Sequence, residues 1–263
     1  MPIRADEYAT EAMRQAPAAS RDRRTILASP PALALVIPTL HEGPNIRAML
    51  DRTRRSLDGL DVPYELIVVD DDSRDGTERT VKGVAAQDER VRFFSRVGER
   101  GLSGAVLHGW HNSQAEILGV IDADLQHPPE LLPELWEAIE AGNDLALASR
   151  YVRSGKHRRR GASRHLLSNL AILLTRPLQR ADIFVRDPMA GFFLVRRRCV
   201  EDLVLRTSGF KILLEILVRA DVRSVAEVPF SFGRRHAGKS KANIKIGLDY
   251  LMLLAKLWKH RRN

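Results

Sequence analysis

The sequence predicts an α/β fold, a mostly parallel central sheet flanked by helices, on two observations. Five continuous apolar runs, LALVI (33–37), ELIVV (65–69), VRFF (91–94), ILGVI (117–121) and DLALAS (144–149), have the composition of strands buried on both faces. Between them lie segments opening near Pro44, Gly76, Gly104 and Pro129, each long enough for a crossover helix.

Taken in order, the elements carry their own punctuation. LALVI follows Pro30-Pro31, and Pro44 suits a first helical turn, where a missing N–H costs nothing. After ELIVV, Asp72, Ser73 and Asp75 are turn-forming residues leading into a helix start at Gly76-Thr77. Gly98, Gly101 and Gly104 make a glycine-rich turn of the kind that can approach a ligand. Pro128-Pro129 open the next helix, and Asp122 or Asp124 could serve as its cap.

In the second half, residues 164–180 read as helical, FFLV (192–195) as a strand, GFKILLEILVRA (209–220) as a helix and VAEVPFSF (225–232) as an extended piece. No low-complexity linker divides the halves, so one compact domain is expected over 32–243. Residues 1–31, rich in Arg, Ala, Ser and Pro, are expected to be a mobile extension, and 244–263 a basic amphipathic helix.

A chain of 263 residues with 44% hydrophobic content can bury a full core. Its net charge of +9 favours an anionic partner. The single cysteine, Cys199, can form neither an internal disulfide nor a cysteine metal cluster, which fits a reducing cytoplasm. Nucleic acid is disfavoured as the partner, because no nucleic-acid module is recognisable and 6% aromatic content leaves few stacking platforms.

Against this basic background, acid gathers where strands end. Thr39-Leu40-His41-Glu42, Asp70-Asp71-Asp72-Ser73 and Asp122-Ala123-Asp124-Leu125-Gln126 follow the first, second and fourth runs. Ligands of open α/β sheets bind beyond those ends. In extended backbone Asp122, Asp124 and Gln126 would point the same way, giving an all-oxygen set suited to Mg²⁺ or Mn²⁺ with positions left for a diphosphate.

VIPTLHE, VVDDDSRDGT, RVGERGLSGAVLHG, DADLQHPPELLPEL, ASRY, DPMAGFF, GFKILLEIL and FGRRHAGKSK occur in that order over residues 33–250. Together they resemble family 2 glycosyltransferases of the dolichol-phosphate (polyprenol-phosphate) mannose synthase type. The resemblance implies a GT-A fold over 32–243 and a nucleotide-sugar donor, GDP-mannose before UDP-glucose. It also implies a polyprenyl phosphate acceptor and a Mg²⁺ or Mn²⁺ ion.

By motif position, Pro38, Leu40, Glu42, Val69 and Asp71 would line the nucleoside pocket, with Asp71 accepting from base N–H groups. Asp122, Ala123, Asp124 and Gln126 would surround the metal and diphosphate, the metal ligands being Asp122, Asp124 and Gln126. Arg150, Arg235 and Lys241 would contact phosphates and, with Asp124, carry catalysis. Arg164, Ser168 and Asp187 would border the acceptor, Asp187 beside the reacting sugar, and Gly191 would permit a close approach. Leu40, His41, Ala190 and Glu99 depart from the family's usual aromatic, Asn, Ser or Thr, and nearby Lys.

A lipid acceptor also accounts for basic surface. Arg153, Lys156, His157, Arg158, Arg159 and Arg160 form one run, and Lys259, His260, Arg261 and Arg262 another. Ile244, Leu248, Leu251, Ala255 and Trp258 share a helical face, with Leu253 and Leu257 off it. The expectation is a peripheral protein at the cytoplasmic face of an anionic membrane.

Overall fold

The computed structural model describes residues 30–152, 173–179, 183–203, 205, 211–231 and 252–259. Every apolar run forms a strand: β1 (Leu33–Thr39), β2 (Tyr64–Asp70), β3 (Val91–Ser95), β4 (Ile117–Ile121), β5 (Leu145–Ser149), β6 (Phe192–Arg196) and β7 (Val225–Pro229). The intervening helices are α1 (Gly43–Asp58), α2 (Thr77–Ala85), α3 (Leu102–His111), α4 (Leu132–Glu140) and α5 (Ile212–Arg219). The expected mobile extension falls on residues of which 1–29 lie outside the described part.

The strands form one sheet in the order β3-β2-β1-β4-β6-β5-β7. β6 is antiparallel to β4 and β5, and the other pairs are parallel. It enters between β4 and β5, so both of its edges are paired and both faces covered, which is why Phe192, Phe193, Leu194 and Val195 are all wholly buried. Because β7 pairs with β5, the second half of the chain completes the sheet begun by the first.

Alternate residues of β1 feed two cores. Leu33, Leu35 and Ile37 pack with Ile46, Met49 and Leu50 of α1, Val81 of α2 and Leu135 and Trp136 of α4. Ala34 and Val36 pack on the other face with Val106 and Trp110 of α3 and Leu213 and Ile216 of α5. Each fully buried leucine contributes about 2 kcal/mol of transfer free energy. The two layers therefore fix where the strand ends, and the loops beyond them, must lie.

A third small cluster joins Leu178, Leu214 of α5, and Leu254 and Leu257 of the helical residues 252–259. This corrects the face assigned from periodicity: Leu257 turns inward, whereas Ala255 and Trp258 are exposed. The segment carries two apolar stripes, and the one that meets Leu178 and Leu214 is buried. Ile244, Leu248 and Leu251 lie outside the described residues. Among the described residues no helix is long and apolar enough to cross a membrane.

Candidate active site

Strand order reverses at β1, which has β2 on one side and β4 on the other. The crevice of such a sheet opens beyond the carboxyl ends of the strands at this switch. An outer cleft of about 300 Å³ lies there, walled by Pro38, Thr39, Leu40 and Glu42, Asp71, Gly101, Leu102 and Ala105, and Asp122, Ala123 and Asp124.

Much of the acid that the sequence gathers at this rim is already engaged. Asp70 accepts from Thr39 Oγ1 at 2.8 Å, Ser73 N at 2.8 Å and Ser73 Oγ at 2.5 Å. Asp75 accepts from Gly43 N at 2.9 Å and from Thr77 N and Oγ1 at 3.1 and 2.6 Å, tying together the starts of α1 and α2. These bonds outweigh the opposing effect of burial and hold the Asp75 carboxyl below the ordinary carboxylate range.

Asp71, expected to receive base N–H groups, also has both oxygens engaged. Oδ1 accepts from Arg96 Nε and Nη2 at 2.9 and 2.6 Å, and Oδ2 accepts from Gly101 N at 2.8 Å. Its ion pair with Arg96 is buried, with side chains 5% and 4% exposed. Asp71 thus anchors the glycine-rich turn to the cleft wall. A Cβ at Gly104 would overlap Arg96 Nη1, so Gly104 makes room for the guanidinium. The sequence does not single out Arg96, although it carries a signal: β3 is the parallel neighbour of β2, so the arginine that follows β3 stands beside the acids that follow β2. Val69, placed in the nucleoside pocket by motif position, is instead wholly buried in the core under α3.

At the exit of β4, Asp122, Ala123 and Asp124 line the cleft as expected, but the backbone does not stay extended. Leu125 adopts φ +59°, and Asp124 Oδ1 accepts from Gln126 N at 3.0 Å. The turn delivers the chain to the short helix Pro129–Leu131, so the backbone from Asp122 to Gln126 is not the extended run expected. Neither aspartate caps that helix: Pro128 holds the cap position without a side-chain bond.

His127 is buried, edge-on to Phe192 and tilted on Phe230, with Nδ1 3.6 Å from Asp122 Oδ2. Gly191 lies against the Asp122 carboxylate so closely that a Cβ would overlap it. The close approach foreseen for this glycine is therefore made by Asp122 itself.

The donor set fits a divalent ion in part. The Asp122 and Asp124 carboxylates share one cleft, and among the described residues no group of three or more His, Cys, Asp or Glu is placed to hold a metal. Two carboxylates suit Mg²⁺ or Mn²⁺, which retain waters and take further oxygens from substrate phosphates.

Beyond Asp122 and Leu102 lies an inner cavity of about 150 Å³, lined by His127, Arg150, Met189, Ala190, Gly191 and Lys211 among others. Arg150 grips Asp187 through Nε and Nη2 at 2.7 and 2.6 Å and through its backbone N at 3.1 Å. Asp187 is wholly buried and, bonded to Arg150, orients the guanidinium at the cavity wall. Lys211, unassigned from the sequence, completes the lining; burial first, then the like charge of Arg150, pulls its pKa below the ordinary lysine value. Its signal was a lone cation interrupting the apolar run GFKILL. Arg164, Ser168, Arg235 and Lys241 lie outside the described residues.

Residues 34–204 match the model of glycosyl transferase family 2. The chain is 40% identical to a dolichol-phosphate mannosyltransferase of Pyrococcus furiosus over 86% of its own length and 64% of that protein. It is 35% identical to one from Mycosarcoma maydis, covering 99% of this chain and 90% of that protein. A third, from Saccharomyces cerevisiae, is 37% identical, with 86% of each covered. Among solved structures, the glucosyl-3-phosphoglycerate synthase of Mycobacterium tuberculosis, crystallised with Mn²⁺, UDP and glucosyl-3-phosphoglycerate, shares the GT-A fold. Its TM-score is 0.63, with 23% identity, covering 87% of this chain and 79% of that one. With its strand-exit aspartates at the sheet's switch point and its likeness to dolichol-phosphate mannosyltransferases along most of its length, the chain belongs to glycosyl transferase family 2.

Proposed function

We propose that the protein transfers mannose from GDP-mannose to a polyprenyl phosphate, with inversion at the sugar carbon. The observation that carries this reading is a pair of carboxylates, Asp122 and Asp124, in the outer cleft beside a cavity lined by the cations Arg150 and Lys211. It is supported by the likeness to dolichol-phosphate mannosyltransferases.

In this reading the nucleoside occupies the cleft between Leu40, Glu42 and the Asp71-anchored turn. Asp122 and Asp124 would hold Mg²⁺ or Mn²⁺, which when bound neutralises charge on the departing diphosphate. An acceptor phosphate oxygen bonds to the anomeric carbon as the bond from that carbon to the diphosphate breaks, its electron pair leaving with GDP. The acceptor is already anionic near neutral pH, since a phosphate monoester loses its second proton at about 6. No general base is required of the protein, and the work of its side chains is binding and orientation. Gln126, Arg164, Ser168, Arg235 and Lys241 keep the roles the resemblance implies as part of this proposal.

An anionic membrane at its cytoplasmic face is the surface proposed for the acceptor's tail. Supporting it, Leu173, Leu174, Met252 and Trp258 are exposed on the segments that meet around Leu178, with Lys256 and Lys259 exposed on the same helix.

The test offers purified protein GDP-mannose and UDP-glucose separately, with Mn²⁺ or Mg²⁺ and a polyprenyl phosphate, and follows sugar into lipid. Transfer from GDP-mannose to give a β-linked product is expected. Transfer from UDP-glucose alone, or an α-linked product from the α-linked donor, would refute the reading.

A further inference from the structure

Lys211 lines the inner cavity at the start of α5. It occupies the cap position at the start of α5, where the helix dipole disfavours a cation, so helix stability does not account for it. Burial and the neighbouring Arg150 charge both oppose its ionisation, while Asp122 and Asp187 favour it. Asp187 is already gripped by Arg150 in two charge-assisted bonds, and Asp122 also faces the outer cleft with Asp124.

The two cations line one small cavity that opens beside the strand-exit carboxylates. Among the described residues the rest of the lining mixes apolar side chains, such as Leu102, Met189 and Ile212, with His127 and the Asp122 carboxylate. The two cations outnumber that carboxylate and draw an entering anion. Its volume suits a group the size of a phosphate with part of a sugar ring.

Resting on the mannosyl-transfer reading above, we propose that Lys211 is a substrate-binding residue that, with Arg150, seats the phosphate of the acceptor and makes the site select a phosphate monoester over an alcohol. Lysine is a compact point charge that can meet an oxygen without imposing an angle, whereas Arg150 is held in one orientation by Asp187. The pair would thus fix the nucleophile with one oriented and one adaptable contact. If Lys211 served only to balance Asp122, its loss would disturb donor and metal as much as acceptor.

The experiment uses the full chain with GDP-mannose, Mn²⁺ and geranyl phosphate, and geraniol as the acceptor lacking phosphate. Lys211→Met is expected to raise the KM for geranyl phosphate by at least about 10-fold. Lys211→Arg should restore it to within about threefold, and the Kd of GDP with Mn²⁺ should change by less than about twofold in either variant. An unchanged acceptor KM in Lys211→Met, or an equal loss of GDP affinity in a folded variant, overturns the assignment and leaves the mannosyl-transfer reading standing. Failure of the unaltered protein to use geranyl phosphate overturns that reading and the assignment with it. Should Lys211→Met not fold, Lys211→Gln is read by the same two constants.

Discussion

The outer cleft and the inner cavity meet at Asp122 and are built in opposite ways. Around the outer cleft, Asp70, Asp71 and Asp75 look like an acidic site in sequence, yet each is tied to protein donors and serves to hold loops. Among the described residues, Asp122, Asp124 and Glu42 join Asp71 as acids in its lining. Around the inner cavity the cations Arg150 and Lys211 join Asp122, and the acid that aims Arg150, Asp187, is hidden behind it. A cluster of like residues therefore says less about a site than which members are already bonded. The outer side is shaped by carboxylates bonded into loops, and the inner side by cations, one of them aimed by a hidden carboxylate.

The sharpest way to break this contrast is to remove a carboxylate that faces the cleft. Asp124→Ala should lower transfer by about 10³-fold with little change in unfolding midpoint, because the side chain lines the cleft and is not part of the buried core. Retention of full metal-dependent activity would show that the outer cleft holds no metal there. Removing the partner of a carboxylate bonded into a loop should do the reverse. Arg96→Met leaves Asp71 buried without its cation and should cost roughly 3–5 kcal/mol in urea unfolding. GDP affinity should fall as the Gly101 turn loosens. A stability loss below about 1 kcal/mol would mean that Asp71 is not the anchor described.

At the junction itself, Gly191→Ala should displace the Asp122 carboxylate, since the added methyl would occupy its place. Mn²⁺ affinity, followed by electron paramagnetic resonance, is expected to weaken by about 10–100-fold while the fold persists. Unchanged Mn²⁺ affinity would separate Asp122 from the metal seat.

The contrast also marks how far the sequence could be read. Strands were legible because each is a continuous apolar run, and even β6, paired antiparallel in the middle of the sheet, showed itself in FFLV. The positions of Asp122, Asp124 and Arg150 at strand exits were legible for the same reason. What escaped was everything that depends on pairing across the chain. Val69 lies in β2 and Asp71 just past its end, but whether each faces core or cleft depends on α3 and on Arg96, which follows the next strand. Leu257 and Trp258 present equal apolar credentials, and only the position of Leu214 decides which is buried. Lys211 could be seen as an oddity in an apolar run, but not as the neighbour of Arg150.

The smallest expected effect lies at the opposite end of the sheet, where no ligand is proposed and ionic contacts should matter for stability alone. Asp88, at the turn before β3, pairs with Arg90 and Arg54 at 2.9 and 2.8 Å. The Arg90 hydrogen bond is the largest influence and outweighs burial, holding the Asp88 carboxyl below its ordinary range. A carboxyl depressed in the folded state stabilises the protein fully above its unfolded value of about 3.9, and that contribution is lost as pH falls through the lower folded value. Asp88→Asn should therefore cost about 1–2 kcal/mol at pH 7. The gap from the unaltered protein should narrow only below about pH 4. Urea unfolding across that range measures the gap, and GDP binding at pH 7 should be the same for both proteins. A gap that instead closed between about pH 7 and 5 would assign the dependence to a group other than this carboxylate.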